Sequence, residues 1–166
     1  MRVNILTTNS LWRTLLIDAS LAGAVCLIPW LHVAAPWAVQ LNPMLFLLLA
    51  GMLLVPGRKN AFLLALLLPA FSAFAVGMPT PMKAICMAAE FSTVVAVYGL
   101  TAGVNGLKNR PFWGMLAAML SGKIVYYALK AILVAPAVLV GTDWWIQAAS
   151  MLLWAGLFVL VSKMRR

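Results

Sequence analysis

Four side chains able to do chemistry share one face of a single apolar stretch. Lys83, Cys86, Met87 and Glu90 stand at i, i+3, i+4 and i+7 of a run that follows the turn Gly77-Met78-Pro79-Thr80-Pro81 and continues through Tyr98-Gly99-Leu100. At helical spacing this puts an ammonium, a thiol, a thioether and a carboxylate on one stripe. Lys123, Tyr127 and Lys130, with Tyr126 beside them, make a second stripe further along. Groups of this kind pair with one another, hold a charged ligand or ligate a soft metal. The remainder of the chain reads as the elements that make those charges tolerable.

Those elements belong to a membrane. Of 166 residues, 65% are hydrophobic and 9% charged, against about 25% charged in soluble domains, and the mean hydropathy is +1.03. The apolar runs are continuous rather than alternating, which points to a helical integral membrane protein and away from a β-barrel. One domain over residues 1–166 is expected. The formal charge of +9 is not a nucleic-acid signature, because the basic residues sit in short segments between apolar runs. Cys26 and Cys86 lie within runs and form neither a zinc pattern nor a disulfide framework.

Six runs are read as transmembrane helices, at about 11–30, 43–55, 61–76, 82–103, 111–134 and 144–161. Pro69 in the third predicts a kink, and Pro111 suits the first turn of the fifth. Basic residues mark the N-terminus (Arg2, Arg13), the second connection (Arg58, Lys59), the fourth (Lys108, Arg110) and the C-terminus (Lys163, Arg165, Arg166). The first connection, about 31–42, and the fifth, about 136–143, carry no Lys or Arg, which predicts both termini on the cytoplasmic side. Trp30, Trp37, Trp144 and Trp145 then fall at the outer interface, where tryptophan anchors. Ala19 and Gly23, with Ala22 and Cys26, give the first helix small-residue pairs that allow close helix approach.

Depth decides which charges meet. Glu90 and Lys123 each lie about a dozen residues from the basic end of their runs, roughly 18–20 Å at a rise of 1.5 Å per residue. They are predicted to pair, either as an ion pair that orients two helices or as ligand contacts. An unpaired charge at the bilayer centre costs roughly 2.5–3.5 kcal/mol. Lys130 and Lys83 lie nearer the outside, where a lysine either snorkels to the headgroups or meets an anionic ligand. Cys86 and His32 are expected near that same surface, as packing and interface residues or as soft ligands to a metal-centred molecule. Phosphate-loop, HExxH and GxSxG patterns are absent and only three acids exist in the chain, so no catalytic residues are assigned.

The order Leu41-Asn42-Pro43, Leu49-Ala50-Gly51, Pro69-Ala70-Phe71-Ser72, Gly77-Met78-Pro79, Met87-Ala88-Ala89-Glu90, Tyr98-Gly99-Leu100 and Ala118-Met119-Leu120-Ser121-Gly122-Lys123 resembles the substrate-binding S components of energy-coupling factor transporters. The resemblance covers roughly residues 11–135. It implies a six-helix subunit of the cytoplasmic membrane that captures a vitamin-class micronutrient from outside the cell. It also implies a coupling subunit in the membrane, docked on the Ala19 and Gly23 face, and two ATPase subunits. By the same resemblance the turn at Gly77 to Pro81 is a lid and the pocket lies toward the outer face, between helices 4 to 6 and the 1–2 and 3–4 loops. The candidate ligand residues there are Met78, Cys86, Glu90, Lys123, Tyr126, Tyr127, Lys130, His32 and Trp144. Lys123 stands where relatives carry arginine, without that residue's bidentate fork. Solitary S components that resemble this chain include a cobalamin-binding group, and that likeness implies cobalamin as substrate, Cys86 on the cobalt, and thiol displacement of an axial cyanide as a side activity. Outside the resemblance, the competing reading is a small six-helix membrane scaffold of an envelope or cell-shape complex, which needs no polar pocket.

Overall fold

The structure is a computed structural model that describes residues 5–102, 110–133 and 143–164, the side chains of 5–10 excepted. Arg2, Gly103, Lys108, the fifth connection from Pro136 onward except Asp143, and the terminal Arg165 and Arg166 lie outside the described residues. Eight helices are described: α1 Ile5–Val25, α2 Ile28–Ala34, α3 Pro36–Gln40, α4 Pro43–Leu54, α5 Arg58–Ala75, α6 Pro81–Thr101, α7 Pro111–Leu133 and α8 Trp144–Met164. No strand occurs among the described residues.

Proline sets many of the helix starts. Residues Pro29, Pro36, Pro43, Pro81 and Pro111 each occupy the first or second position of a helix, where the missing N–H is not needed. This corrects the sequence reading at the first run. A single helix over 11–30 does not form, because Pro29 cannot donate to Val25 and its ring would crowd that carbonyl. The chain turns at Cys26-Leu27 and resumes as α2, bent by 40°. The first connection is therefore mostly helical. Ala35, held extended before Pro36 at φ −148° and ψ 77°, separates α2 from α3. Pro69 lies inside α5, which runs through it as one helix.

Four helices, α5 to α8, are long and apolar enough to cross a membrane, and α1 with α2 makes a fifth when the bent pair is counted as one span. The twelve residues of α4 reach only about 18 Å, short of a hydrocarbon core of about 30 Å. Large apolar side chains point outward on many helices, among them Trp12, Leu16, Phe74, Ile124 and Leu160. An outward apolar surface of this kind suits lipid. Ser20, Thr93 and Ser121 return their hydroxyls to the carbonyl four residues back, which hides polar groups within their own helices.

The centre of the bundle is α6, packed chiefly on α7 and α5. Leu45 and Leu48 of α4 join Leu64, Leu68, Phe91, Val94, Met115 and Met119 in the core. Gly122 lets α7 approach α6 closely, since a Cβ there would lie 2.8 Å from Val94 Cγ2 and 2.9 Å from the Glu90 carbonyl. At the far end of α6 the Arg58 guanidinium lies against Gly99, and Asn60 Nδ2 donates to Asp18 Oδ1 at 3.1 Å, joining the start of α5 to α1. These contacts fix the directions of the helices. The starts of α5 and α7 and the end of α8, with Arg58, Lys59, Arg110 and Lys163, lie at one end of the bundle. The α5–α6 turn lies at the other.

Candidate functional site

The end of the bundle away from those basic residues holds a cavity of about 500 Å³. Its floor is an ion pair. Lys123 Nζ stands 2.7 Å from Glu90 Oε1, with the glutamate 2% exposed, and the close approach at Gly122 brings the two helices together at that level. The pair inferred from depth along the sequence is thus formed, and both members face the cavity.

Above the pair, α7 supplies a cation–aromatic ladder. The Tyr126 ring has Lys123 Nζ 5.3 Å and Lys130 Nζ 5.9 Å from its centroid, within the range of cation–π attraction. Tyr127 meets the Tyr126 ring edge-on at 5.3 Å and donates its hydroxyl to Gln147 Oε1 at 2.6 Å, tying α7 to the first turns of α8. Lys130 is buried, and Lys83 of α6 lines the same cavity.

The roof is the α5–α6 turn. Gly77 takes φ +72°, a left-handed conformation that glycine adopts without a Cβ penalty. Ser72 donates its hydroxyl to the Met78 carbonyl, and the Met78–Pro79 bond is cis. Met78, Pro79 and Thr80 border the cavity. On the opposite wall Asn42, at φ 57°, caps α4 by accepting from Leu45 N at 3.3 Å. Trp154 Nε1 donates to the Leu41 carbonyl, which holds the α3–α4 corner against α8.

Of the residues singled out in the sequence, Met78, Glu90, Lys123, Tyr126, Tyr127, Lys130 and His32 line this one cavity, as does Lys83. Two do not. Cys86 is fully buried and off the cavity wall. Trp144 is exposed and stacks on Trp145, centroids 3.5 Å apart. Ala19 and Gly23 lie exposed on α1, with open space where a Gly23 Cβ would stand. Asn42, Ser72, Gln147 and Ser150 also line the cavity and were not among the site residues expected from the sequence. Their signal was polarity near the ends of apolar runs. Among the described residues, no group of three His, Cys, Asp or Glu side chains could hold a metal ion.

Comparison with protein-family models, with curated proteins and with solved structures gives no match. The functional reading therefore rests on the cavity itself. It is walled by seven of the eight described helices and the turns between them, its volume suits a drug-sized organic ligand, and its polar groups converge from α5, α6, α7 and α8. It offers hydrogen bonds, charge and aromatic faces, which is the chemistry of binding.

Proposed function

We propose that this protein is a membrane-embedded binding subunit that captures a vitamin-class micronutrient from outside the cell and passes it inward, in the manner of the substrate-binding S components of energy-coupling factor transporters. The observation that carries this reading is the polar cavity over the buried Glu90–Lys123 pair, roofed by the Gly77 to Thr80 turn. A scaffold gains nothing from such a hollow, and buried charges at this depth are costly without a task.

In this reading the bundle crosses the cytoplasmic membrane six times, with the short α4 as a span covered by its neighbours and α1 with α2 as another. Both termini are cytoplasmic, because Arg58, Lys59, Arg110 and Lys163 cluster at the end opposite the cavity. The cavity then opens outward. The exposed α1 face around Ala19 and Gly23 docks a coupling subunit, and two ATPase subunits supply the energy that a chain without a phosphate loop cannot. Cobalamin remains the substrate named by resemblance. Cys86, the residue that this likeness puts on the cobalt, lies behind the cavity wall, and a whole corrinoid is larger than a cavity of about 500 Å³, so that contact is not carried into the proposal.

Uptake tests the proposal. Cells that carry the protein with its coupling and ATPase subunits should accumulate one member of a labelled vitamin panel. Gly23→Trp should abolish accumulation and leave binding by the purified protein intact. Loss of binding in Gly23→Trp would remove α1 as a docking face, and no accumulation of any member would remove the transport role.

A further inference from the structure

Several polar side chains of the cavity are already engaged within the fold. Ser72 donates to the Met78 carbonyl, Tyr127 to Gln147 and Ser150 to the Gln147 carbonyl at 2.8 Å, while Glu90 holds Lys123. Tyr126 differs. It is 8% exposed and lines the cavity, and its ring packs on Tyr127 and lies near two ammoniums. Yet among the described residues nothing hydrogen-bonds its hydroxyl. A tyrosine hydroxyl this far from bulk solvent ordinarily has a partner. Among the described residues every fully buried side-chain nitrogen or oxygen has one, so the Tyr126 oxygen is not sealed in packing. It opens on the cavity that the residue lines.

We propose that the Tyr126 hydroxyl selects the ligand: the cavity takes a ring-bearing small molecule that presents an acceptor, a ring nitrogen or a carbonyl oxygen, to that phenol. The inference rests on the binding reading above and specifies its substrate class. A phenol can donate or accept, and because its lone pair is drawn into the ring it is the better donor. A ligand that fills the space shuts the hydroxyl off from water. If that ligand offers an acceptor, the bond is made. If it does not, the donor is left dry and unpaired, which is the costly side of hydrogen bonding. A site built this way rejects a near-isostere that lacks the acceptor. The Tyr126 and Tyr127 rings border the same space and suit a flat ring in offset or edge-to-face contact. A cavity of about 500 Å³ holds one such molecule.

Calorimetry on the full chain in nanodiscs, with probes matched in shape and differing at one acceptor, tests this directly. The pairs are pyridine-3-carboxamide and benzamide, riboflavin and deazariboflavin, and biotin and thiobiotin. The acceptor-bearing member of at least one pair should bind about tenfold or more tightly than its twin, the scale of one buried donor left unpaired. Tyr126→Phe keeps the ring and should bring that pair to within about twofold, by weakening the acceptor-bearing member alone. The ligand-free protein gives a second readout. Tyr126→Phe should unfold at the wild-type temperature, because the hydroxyl is not engaged within the fold, and Tyr127→Phe, which loses its bond to Gln147, at a lower one. Equal affinity for the twins in every pair, or a difference that survives Tyr126→Phe, overturns the acceptor assignment and leaves the binding reading standing. A fall in unfolding temperature for Tyr126→Phe that matches the fall for Tyr127→Phe places the hydroxyl's bond within the fold and overturns the assignment too. No binding by any probe, cobalamin included, overturns both proposals.

Discussion

Gly122 lies against the backbone of Glu90, so the residue next to Lys123 sets how closely α7 can bring its ammonium to that carboxylate. A Cβ at Gly122 would stand 2.9 Å from the Glu90 carbonyl, and a backbone atom in a packed helix cannot give way as a side-chain tip can. Gly122→Val should therefore cost about 1–3 kcal/mol and lower the unfolding temperature in detergent. Gly23→Ala, at a site with open space around it, should hold stability or raise it by up to about 1 kcal/mol through helix propensity. Equal effects of the two substitutions would contradict the packing described for α6 and α7.

The ion pair itself yields to a double-mutant cycle. Lys123→Met leaves Glu90, 2% exposed, without its ion-pair partner, and breaking a buried pair on one side costs about 3–5 kcal/mol. Adding Glu90→Gln removes the orphaned charge and should recover most of that loss. Thermal unfolding of the two single variants and the double variant measures the coupling. A double variant no more stable than Lys123→Met would mean that the two side chains do not support each other.

The turn over the cavity has its own signature. Gly77→Ala places a Cβ on a residue at φ +72° at a cost of roughly 1–2 kcal/mol, with nothing nearby for it to strike. Ser72→Ala removes the hydroxyl that holds the Met78 carbonyl. Both should speed hydrogen exchange in residues 77–80 and raise the ligand off-rate several-fold, with Gly77→Ala lowering global stability by no more than that cost. Unchanged exchange in that segment would show that neither residue holds the turn.

Cys86→Ser should leave ligand affinity within about twofold, because the thiol is buried off the cavity wall and a small polar swap there acts on packing alone. An affinity loss of about tenfold, or a changed corrinoid absorbance spectrum in the variant, would place the thiol in the site.

The fate of Cys86 also shows where a sequence stops being readable. Stripe logic grouped it with Lys83, Met87 and Glu90, and helix spacing does put the four within an arc of about 100°. The cavity sees only part of that arc. Cys86 lies about 60° from Lys83 on the flank opposite Met87, and only the packing of α6 among its neighbours decides which flank is dry. The Glu90–Lys123 pair was legible because depth along two antiparallel runs is simple arithmetic from the rise per residue. The tie between Asp18 and Asn60 was not, because it depends on where α1 crosses α5. The bend at Cys26-Leu27 was written in Pro29 but masked by the unbroken apolarity around it. Helices α2 and α3 were hidden for the opposite reason, since helices this short owe their stability to packing rather than to local pattern.

The central claim is that the cavity over Glu90 and Lys123 holds a small molecule, and the most direct measurement is a mass spectrum of the intact protein. The protein is purified in detergent, exposed to a mixture of water-soluble vitamins that includes cobalamin, and released into the gas phase with its ligand. The account predicts a single added mass at one copy per chain. A spectrum of the bare chain alone would contradict it.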